Sequence, residues 1–269
     1  MVVEEKQCRY SNEMKGEISM KQSSVRDYFK PVTLAEAVQQ LNEYPGRIEV
    51  LAGATDVFVV NNEGVDALLD ISKLGLSYIK EEEGFIKIGA CTTFAQIIKS
   101  PLVKERFSAL WEAAKHLADM TIRNRATLGG NICTALPSGD SIPPLYVADA
   151  VFVVFGVDGE KEIKGEYFYL GPRKTVLKKG EILKEIKIPL STGLSASAFE
   201  KIGRNSEDLA VANAAAWLTV DFAGRITDIK VAHGAVAPTV VRAQAVEKLI
   251  LGRKLSEINL DHVCEKVVE

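Results

Sequence analysis

The chain has 269 residues, of which 47% are hydrophobic and 26% are charged, and its formal net charge is −3 at pH 7. These values are ordinary for a globular protein, and they exclude the basic footprint that is typical of nucleic-acid-binding proteins. No apolar run approaches the roughly 20 residues that a membrane-spanning helix needs. We therefore expect one or two globular domains, without a nucleic-acid partner and without a membrane span.

The N-terminus is polar and lacks the apolar segment of a signal peptide. We interpret residues 1–25 as a disordered or loosely docked leader, and we expect a cytoplasmic protein. Cys8, Cys91, Cys133 and Cys264 are scattered without any Cys-x-x-Cys pair, which is typical of reduced thiols. The same scatter, together with isolated histidines, argues against an iron–sulfur cluster or a zinc site held by this chain.

The first predicted element after the leader is a helix. Thr33 and Glu36 have the spacing of a capping box, and apolar residues follow at helical spacing. The segment Tyr44-Pro45-Gly46 is a stop signal, so we predict that the helix ends there.

A series of short elements then leads to a glycine-rich stretch. An apolar strand from Ile48 is interrupted by GATD at residues 53–56 and resumes as VFVV. Further strands are predicted at residues 67–71, 85–89 and 151–157, with a short helix from Thr93 through Ile98 and one longer helix from Pro101 to Asp119. Residues 127–140, TLGGNICTALPSGD, are rich in glycine and small polar residues, which favours a loop over a helix or strand.

The pattern changes in the last third of the chain. From Gly180 onward, alternating strands are separated by turn signals, and two helices at residues 239–251 and 256–268 close the sequence. Strands followed by helices predict a small antiparallel sheet with helices packed on one face. We place the boundary at Leu170-Gly171-Pro172, which gives domains at residues 26–170 and 171–269.

The candidate ligand-binding segments are two stretches of small residues, GATD at residues 53–56 and TLGGN at residues 127–131. Glycine lets the backbone turn at positive φ and lets another molecule approach the main chain closely. Successive backbone N–H groups that point into one concavity form a nest suited to oxyanions, and Thr55 and Asn131 add neutral donors. Because several amide dipoles share the charge, a pyrophosphate held in this way needs no lysine or arginine.

Other nucleotide sites are excluded by missing motifs. The absence of a Walker lysine argues against hydrolysis of a nucleoside triphosphate, and no G-x-G-x-x-G follows a strand as in a Rossmann site. Taken singly, each small-residue segment has an ordinary structural turn or loop as its alternative. Asp140 also has two readings: it accepts a hydrogen bond from a ligand hydroxyl, or it caps the helix that follows at Ser141.

The two segments resemble those of a known family. LAGATDVFV resembles the A-G-G-T-D segment, and IRNRATLGGNICTALPSGDSIPPL closely resembles the second flavin loop, of the FAD-binding subunits of molybdenum hydroxylases. This family includes xanthine, carbon monoxide and nicotinate dehydrogenases. The order of elements agrees, from a helix with the family's pattern at residues 31–37 to a later segment, FEKIGRNSEDLAVANAA. The resemblance covers roughly residues 26–255.

The resemblance implies an α+β fold. Its first part is the two-part FAD-binding domain of the vanillyl-alcohol-oxidase (PCMH) type, and a small C-terminal domain like that of carbon monoxide dehydrogenase flavoproteins follows. It also implies FAD contacts from residues of both parts. The implied residues are Val50, Leu51, Ala52, Gly53, Ala54, Thr55, Asp56, Val57, Leu117, Thr127, Leu128, Gly129, Gly130, Asn131, Asp140, Leu183 and Lys201. For Leu117 and Leu183, an ordinary place in the core is the alternative.

The function that the resemblance implies is electron transfer. FAD in this chain would take electrons from 2Fe–2S clusters in a small partner subunit and pass them to NAD⁺ or another acceptor. A molybdopterin-binding large subunit would hydroxylate an N-heterocycle such as a purine. No residue of this chain is expected to be catalytic toward that substrate.

Two other functions remain open from the sequence. One is a stand-alone flavin oxidase or reductase, in which His116 is the available flavin tether. The other is a scaffold subunit that has lost FAD, which is suggested by Ala54 in place of the family's second glycine. An alanine there is compatible with the loop when its φ is negative.

Overall fold

A computed structural model describes residues 25–57 and 64–267 of the chain. The predicted leader lies outside these ranges except for Val25, and so does the resumed strand after Val57. No helix within the described ranges is both long and apolar enough to cross a bilayer.

The secondary structure alternates short strands with short helices. The strands are β1 Asp27–Phe29, β2 Ile48–Leu51, β3 Ala67–Asp70, β4 Ile79–Glu82, β5 Phe85–Gly89, β6 Val151–Gly156, β7 Gly159–Lys164, β8 Tyr169–Gly171, β9 Lys174–Thr175, β10 Ile182–Pro189, β11 Leu194–Ile202, β12 Ala212–Val220, β13 Ile226–Gly234 and β14 Val241–Arg242. The helices are α1 Leu34–Glu43, α2 Phe94–Lys99, α3 Pro101–Arg106, α4 Ser108–His116, α5 Met120–Arg123, α6 Leu128–Thr134, α7 Ile142–Val147, α8 Gln244–Ile250 and α9 Leu260–Val267.

The strands of the described residues form three main sheets. β1, β3 and β2 make a parallel sheet whose apolar side chains pack against α1. The second sheet is antiparallel in the order β4-β5-β10-β6-β7, and the third is antiparallel in the order β11-β12-β13-β14. This arrangement confirms the expected α+β fold, with a two-part first domain and a small sheet with helices after it.

The position of β10 differs from the predicted boundary at residue 170. β10 is the central strand of the second sheet, where it pairs with β5 and β6. Its apolar residues Leu183, Ile186 and Ile188 are buried in the main core together with those of β5 and β6, whereas a strand of a separate domain would contribute to that domain's own core. The sheet topology therefore divides the chain between β10 and β11, about twenty residues later than the sequence pattern.

Local capping signals are largely confirmed. The side chain of Thr33 accepts the backbone N–H of Glu36 at 3.1 Å, as the predicted capping box requires. The Glu36 carboxylate, however, accepts from the backbone N–H of Val32 rather than from Thr33. At the next helix, Thr93 and Gln96 form both reciprocal bonds of a capping box.

The single long helix predicted from Pro101 to Asp119 is wrong. The chain breaks at Phe107, where φ is −151° and ψ is 66°, so that α3 and α4 are separate helices. Phe107 is fully buried, and its ring centroid lies 5.5 Å from that of Trp217 on β12. Burial of this ring between two domains is a tertiary effect that helical periodicity does not contain.

The break lets α4 dock on the third sheet. Ser197 of β11 accepts the backbone N–H of Ala109 at 3.1 Å, and Glu112 accepts the backbone N–H of Phe199 at 2.7 Å. One face of the sheet, with Phe199 and Trp217, thus joins the main core, while alternate residues on the other face pack with α8. The predicted helix at residues 239–251 starts late, at Gln244, because residues 241–242 pair with β13.

A buried carboxylate ties the parallel sheet together. Asp70, at the end of β3, accepts hydrogen bonds from the Tyr28 hydroxyl and the Ser72 backbone N–H, and its carboxylate lies 2.7 Å from Lys30 Nζ. Burial acts to raise the pKa of Asp70, but the hydrogen bonds from Lys30, Tyr28 and Ser72 outweigh it and hold that pKa well below its usual range.

We predict that Asp70→Asn lowers the free energy of unfolding by about 1–3 kcal/mol at pH 7. A depressed folded-state pKa stabilises the protein above the unfolded value of about 4, and this contribution is lost as the pH falls below it. In urea unfolding the difference between variant and parent should therefore be constant above about pH 5, and should shrink as the pH falls from about 4 toward 2. Glu81→Gln, at an exposed site on β4, is the control. A difference independent of pH would contradict the assignment.

Candidate functional site

A cleft of about 840 Å³ opens where the first two sheets meet the loop that follows β11. Its walls come mainly from residues 46–57, 117–140, 173–183 and 201–209. This volume lies within the range of ligand sites, about 300–1,000 Å³. Segments far apart in sequence therefore converge on one concavity.

Most of the residues implied by the sequence resemblance line this cleft. They are Val50, Ala52, Gly53, Ala54, Thr55, Asp56, Val57, Leu117, Thr127, Gly129, Gly130, Asn131, Asp140, Leu183 and Lys201. Leu51 and Leu128 do not line it. Leu128 is fully buried in the main core, and the backbone carbonyl of Leu51 accepts the N–H of Ile71, which holds β2 beside β3.

Gly53 brings the two small-residue segments into contact. A Cβ at this position would lie 2.0 Å from the backbone oxygen of Arg125, so only glycine fits without movement of one segment. Arg125 Nε in turn donates to the Gly53 carbonyl oxygen at 3.2 Å. Glycine is required here by close contact of backbone with backbone, and its φ is not in the left-handed region.

Ala54 has a φ of +63°, in the left-handed region. The condition under which the sequence made an alanine compatible with this loop, a negative φ, is therefore not met. The loop keeps the conformation that a glycine would adopt without strain, and alanine carries a cost of about 1–2 kcal/mol. Ala118 and Arg173 also have positive φ and also line the cleft, so strained backbone is concentrated around it.

The turn after β2 presents unpaired amides. Among the described residues, the backbone N–H groups of Ala54, Thr55 and Asp56 donate no hydrogen bond to a protein acceptor. All three residues line the cleft. Adjacent free amides around a left-handed residue are typical of an anion-binding nest, and the anion site of the first segment stays a prediction.

The second segment is not the predicted loop, because residues 128–134 form α6. Its first amides are already paired: Leu128 N–H donates to the Thr92 carbonyl, Gly129 N–H to the Ala90 carbonyl and Gly130 N–H to the Thr127 side chain. A Cβ at Gly129 would lie 2.6 Å from the Cβ of Ala90. Gly129 therefore allows the helix to pack on the end of β5, and it does not free an amide for a ligand.

Asn131 is the donor that α6 offers to the cleft. The Ser141 hydroxyl donates to Asn131 Oδ1 at 2.6 Å, which fixes the orientation of the amide. The Nδ2 group then remains as a donor of a residue that lines the cleft.

Asp140 does not cap α7, so the capping interpretation is wrong. Asp140 is 4% exposed, and its carboxylate is instead 2.7 Å from Lys201 Nζ and 2.9 Å from Asn213 Nδ2. Burial raises the pKa of Asp140, while the two donors oppose that shift by stabilising the carboxylate. The interpretation of Asp140 as an acceptor for a ligand hydroxyl stays a prediction.

Basic residues reach the cleft from a segment that sequence reasoning missed. Arg173, at the tip of the β8–β9 hairpin, pairs with Asp56 at 3.1 Å across the cleft, and Lys178 and Lys179 also line it. The backbone N–H of Arg173 is anchored on the Ala135 carbonyl. The first segment lacks lysine and arginine, but folding supplies these charges from 117 residues away in sequence.

The opposite wall is apolar. Leu117 and Leu183 are 8% and 3% exposed, and both belong to the main core while lining the cleft. The two readings of these leucines are therefore compatible. No group of three or more His, Cys, Asp or Glu side chains within the described ranges is placed to hold a metal ion.

Comparison with known proteins identifies relatives of both domains. The family described as the FAD binding domain in molybdopterin dehydrogenase matches residues 20–191, and the CO dehydrogenase flavoprotein C-terminal domain matches residues 197–269. A putative xanthine dehydrogenase FAD-binding subunit of Escherichia coli is 31% identical over 90% of this chain and 85% of its own length. The nicotinate dehydrogenase FAD-subunit of Eubacterium barkeri is 33% identical over 86% of this chain and 81% of its own length.

A solved structure supports the same relationship. Carbon monoxide dehydrogenase from Hydrogenophaga pseudoflava has a chain that superposes with a TM-score of 0.84 at 31% identity. The superposition covers 90% of this chain and 84% of that one.

We predict that Ala54→Gly raises the free energy of unfolding by up to about 1 kcal/mol, because glycine relieves the left-handed strain. The matched control is Ala52→Gly, two residues earlier and without positive φ, where the same change should cost about 0.5–1 kcal/mol. Thermal and urea unfolding of both variants measure the effect. Equal destabilisation by the two changes would contradict the strained conformation.

Proposed function

The chain belongs to the family of FAD-binding subunits of molybdopterin dehydrogenases, and on this premise we propose that its cleft holds FAD for electron transfer within a xanthine dehydrogenase-like complex. The observation that carries the proposal is the set of unpaired amides at Ala54, Thr55 and Asp56, three residues that line a cleft of a size suited to a cofactor.

The donors of the cleft fit a pyrophosphate. Free amides and the Thr55 hydroxyl bind oxyanions without a net charge, and Asn131 Nδ2 adds a donor from the facing helix. Arg173, which pairs with Asp56, and the two lysines at residues 178 and 179 also line the cleft. These side chains can exchange their present partners for an anionic group, and the neutral amide donors carry the rest of its charge.

The remaining wall fits a flat aromatic ring system. Leu117 and Leu183 present apolar surface, and Asp140 and Lys201 lie in the cleft as a buried ion pair. Both side chains of the pair are 5% exposed and lie 2.7 Å apart, so the pair is neutral as a whole and presents fixed polar atoms to an occupant.

A bound flavin supplies chemistry that side chains lack, since it exchanges either one or two electrons. The residues of this chain bind it, orient it and exclude water from it. None of them is proposed to be catalytic toward the organic substrate of the complex.

We propose two partner subunits: a large subunit with the molybdopterin cofactor and a small subunit with 2Fe–2S clusters. The relatives named as FAD subunits of xanthine and nicotinate dehydrogenases support this. Those two names share an N-heterocycle, so we propose a heterocycle such as a purine as substrate of the complex and NAD⁺ as acceptor.

The first test is FAD binding by the purified full chain. We predict a flavin absorption spectrum and saturable quenching of FAD fluorescence. Asn131→Asp, which keeps the bond from Ser141, should weaken FAD binding by about 10–100-fold because it turns a donor into a like charge. Asn259→Asp makes the same change in an exposed turn remote from the cleft, and it should have no effect.

The outcomes distinguish a chain that binds no FAD from a site in which Asn131 has no part. A parent chain that binds no FAD would leave the scaffold function, for which the strained Ala54 is the specific observation. Equal binding by the two aspartate variants would instead remove Asn131 from the site.

The second test concerns partners. We predict that the native protein co-purifies with two other subunits, with molybdenum and with iron, and that the complex reduces NAD⁺ with a purine as donor. Flavin alone in a homogeneous native preparation would contradict the complex, and metals without purine oxidation would contradict only the substrate class.

A further inference from the structure

Behind Asp140, outside the cleft lining, lies an amide that the sequence analysis did not single out. Asn213 of β12 is 3% exposed, and its Nδ2 donates to Asp140 Oδ1 at 2.9 Å. Its Oδ1 is buried and, within the described residues, has no hydrogen-bond partner. A buried polar atom without a partner costs stability, so its retention calls for an explanation.

The orientation of this amide is fixed by charge. If the amide were flipped, Oδ1 would face the Asp140 carboxylate and two acceptors would be in contact. Opposite Asn213 on the next strand is Gly234, where a Cβ would lie 2.2 Å from Asn213 Oδ1. A glycine therefore makes room for the unpaired oxygen, and the donor end is kept for Asp140.

Asn213 and Lys201 together hold the Asp140 carboxylate. The direct partner of Asn213 across β11 and β12 is Lys201, so the two side chains are neighbours on one face of the third sheet. Lys201 Nζ lies 2.7 Å from Asp140 Oδ2 and also donates to the His116 carbonyl at 3.1 Å. Each oxygen of Asp140 is thus held by one donor, and both donors come from the C-terminal domain.

We propose that Asn213 is a positioning residue of the cofactor site, which sets the orientation of the Asp140 carboxylate toward the flavin without touching the cofactor. The inference rests on the proposed binding of FAD in the cleft. The C-terminal sheet then contributes to the site, because Asn213 of the second domain determines the orientation of the Asp140 carboxylate of the first domain.

The isosteric change Asn213→Asp tests this directly. Ionising two adjacent carboxyl groups costs electrostatic free energy, so one of them stays protonated over part of the accessible pH range. While protonated, the introduced carboxyl donates to Asp140 as the amide does. Once ionised, it repels Asp140 and competes for Lys201. The other charged groups around the pair are His116 on α4 and Glu207 and Asp208 in the cleft wall.

The experiment measures the Kd of FAD for the full chain between pH 5 and pH 8.5. For Asn213→Asp, the ratio of its Kd to that of the parent should rise by about tenfold or more as the pH increases, and should return toward one at low pH. Asn213→Ala should bind about tenfold more weakly, with a ratio independent of pH. The visible flavin spectrum of bound FAD should shift in both variants.

The matched control is Ser197→Ala. Ser197 accepts the Ala109 backbone N–H, so its loss removes another hydrogen bond between the domains without touching Asp140. We expect its Kd ratio and flavin spectrum to equal those of the parent at every pH. Circular dichroism at each pH verifies that all variants are folded.

Four results are decisive. A pH-dependent ratio for Asn213→Asp alone supports the positioning role. A flat ratio for that variant, or the same change in Ser197→Ala, overturns it, because the effect would then be structural. A parent chain that does not bind FAD overturns the proposed function and removes the basis of this inference.

Discussion

The buried ion pair between Asp140 and Lys201 joins the two domains of this protein. Both side chains are 5% exposed and lie 2.7 Å apart, so each charge depends on the other for its stabilisation. Loss of one partner of such a pair costs about 3–5 kcal/mol, because the remaining charge is buried alone. The pair requires the end of α4, the loop between α6 and α7, and β11 to meet at one place, and this meeting forms part of the wall of the cleft.

Close backbone contacts determine the shape of the cleft around that pair. Gly53 and Gly129 are used where one segment touches another, at the Arg125 carbonyl and at Ala90. The strained conformation falls on an alanine, Ala54, and the free amides lie beside it. Small residues in this site thus allow close packing of the backbone, and the unpaired amides lie in the turn that this packing permits.

Signals that span a few residues were reliable for the elements of the fold. Thr33, Thr93 and the strand at Phe85–Gly89 were predicted correctly, because capping and alternation are local. The break at Phe107 and the central place of β10 were not. A ring that packs on Trp217, and a strand that pairs with partners about 30 and 100 residues away, are chosen by contacts that periodicity does not record.

The site, like the fold, has features that follow from local sequence and features that follow from tertiary contacts. By itself the sequence determined which residues were available, since fifteen of the seventeen residues implied by the two small-residue segments and the family resemblance line the cleft. Only the tertiary structure decided which amides stay free, that Arg173 faces Asp56, and that Asn213 stands behind Asp140. The physical reason is that hydrogen bonding and charge act over a few ångströms in space, and folding alone brings residues 73 or 117 positions apart within that distance.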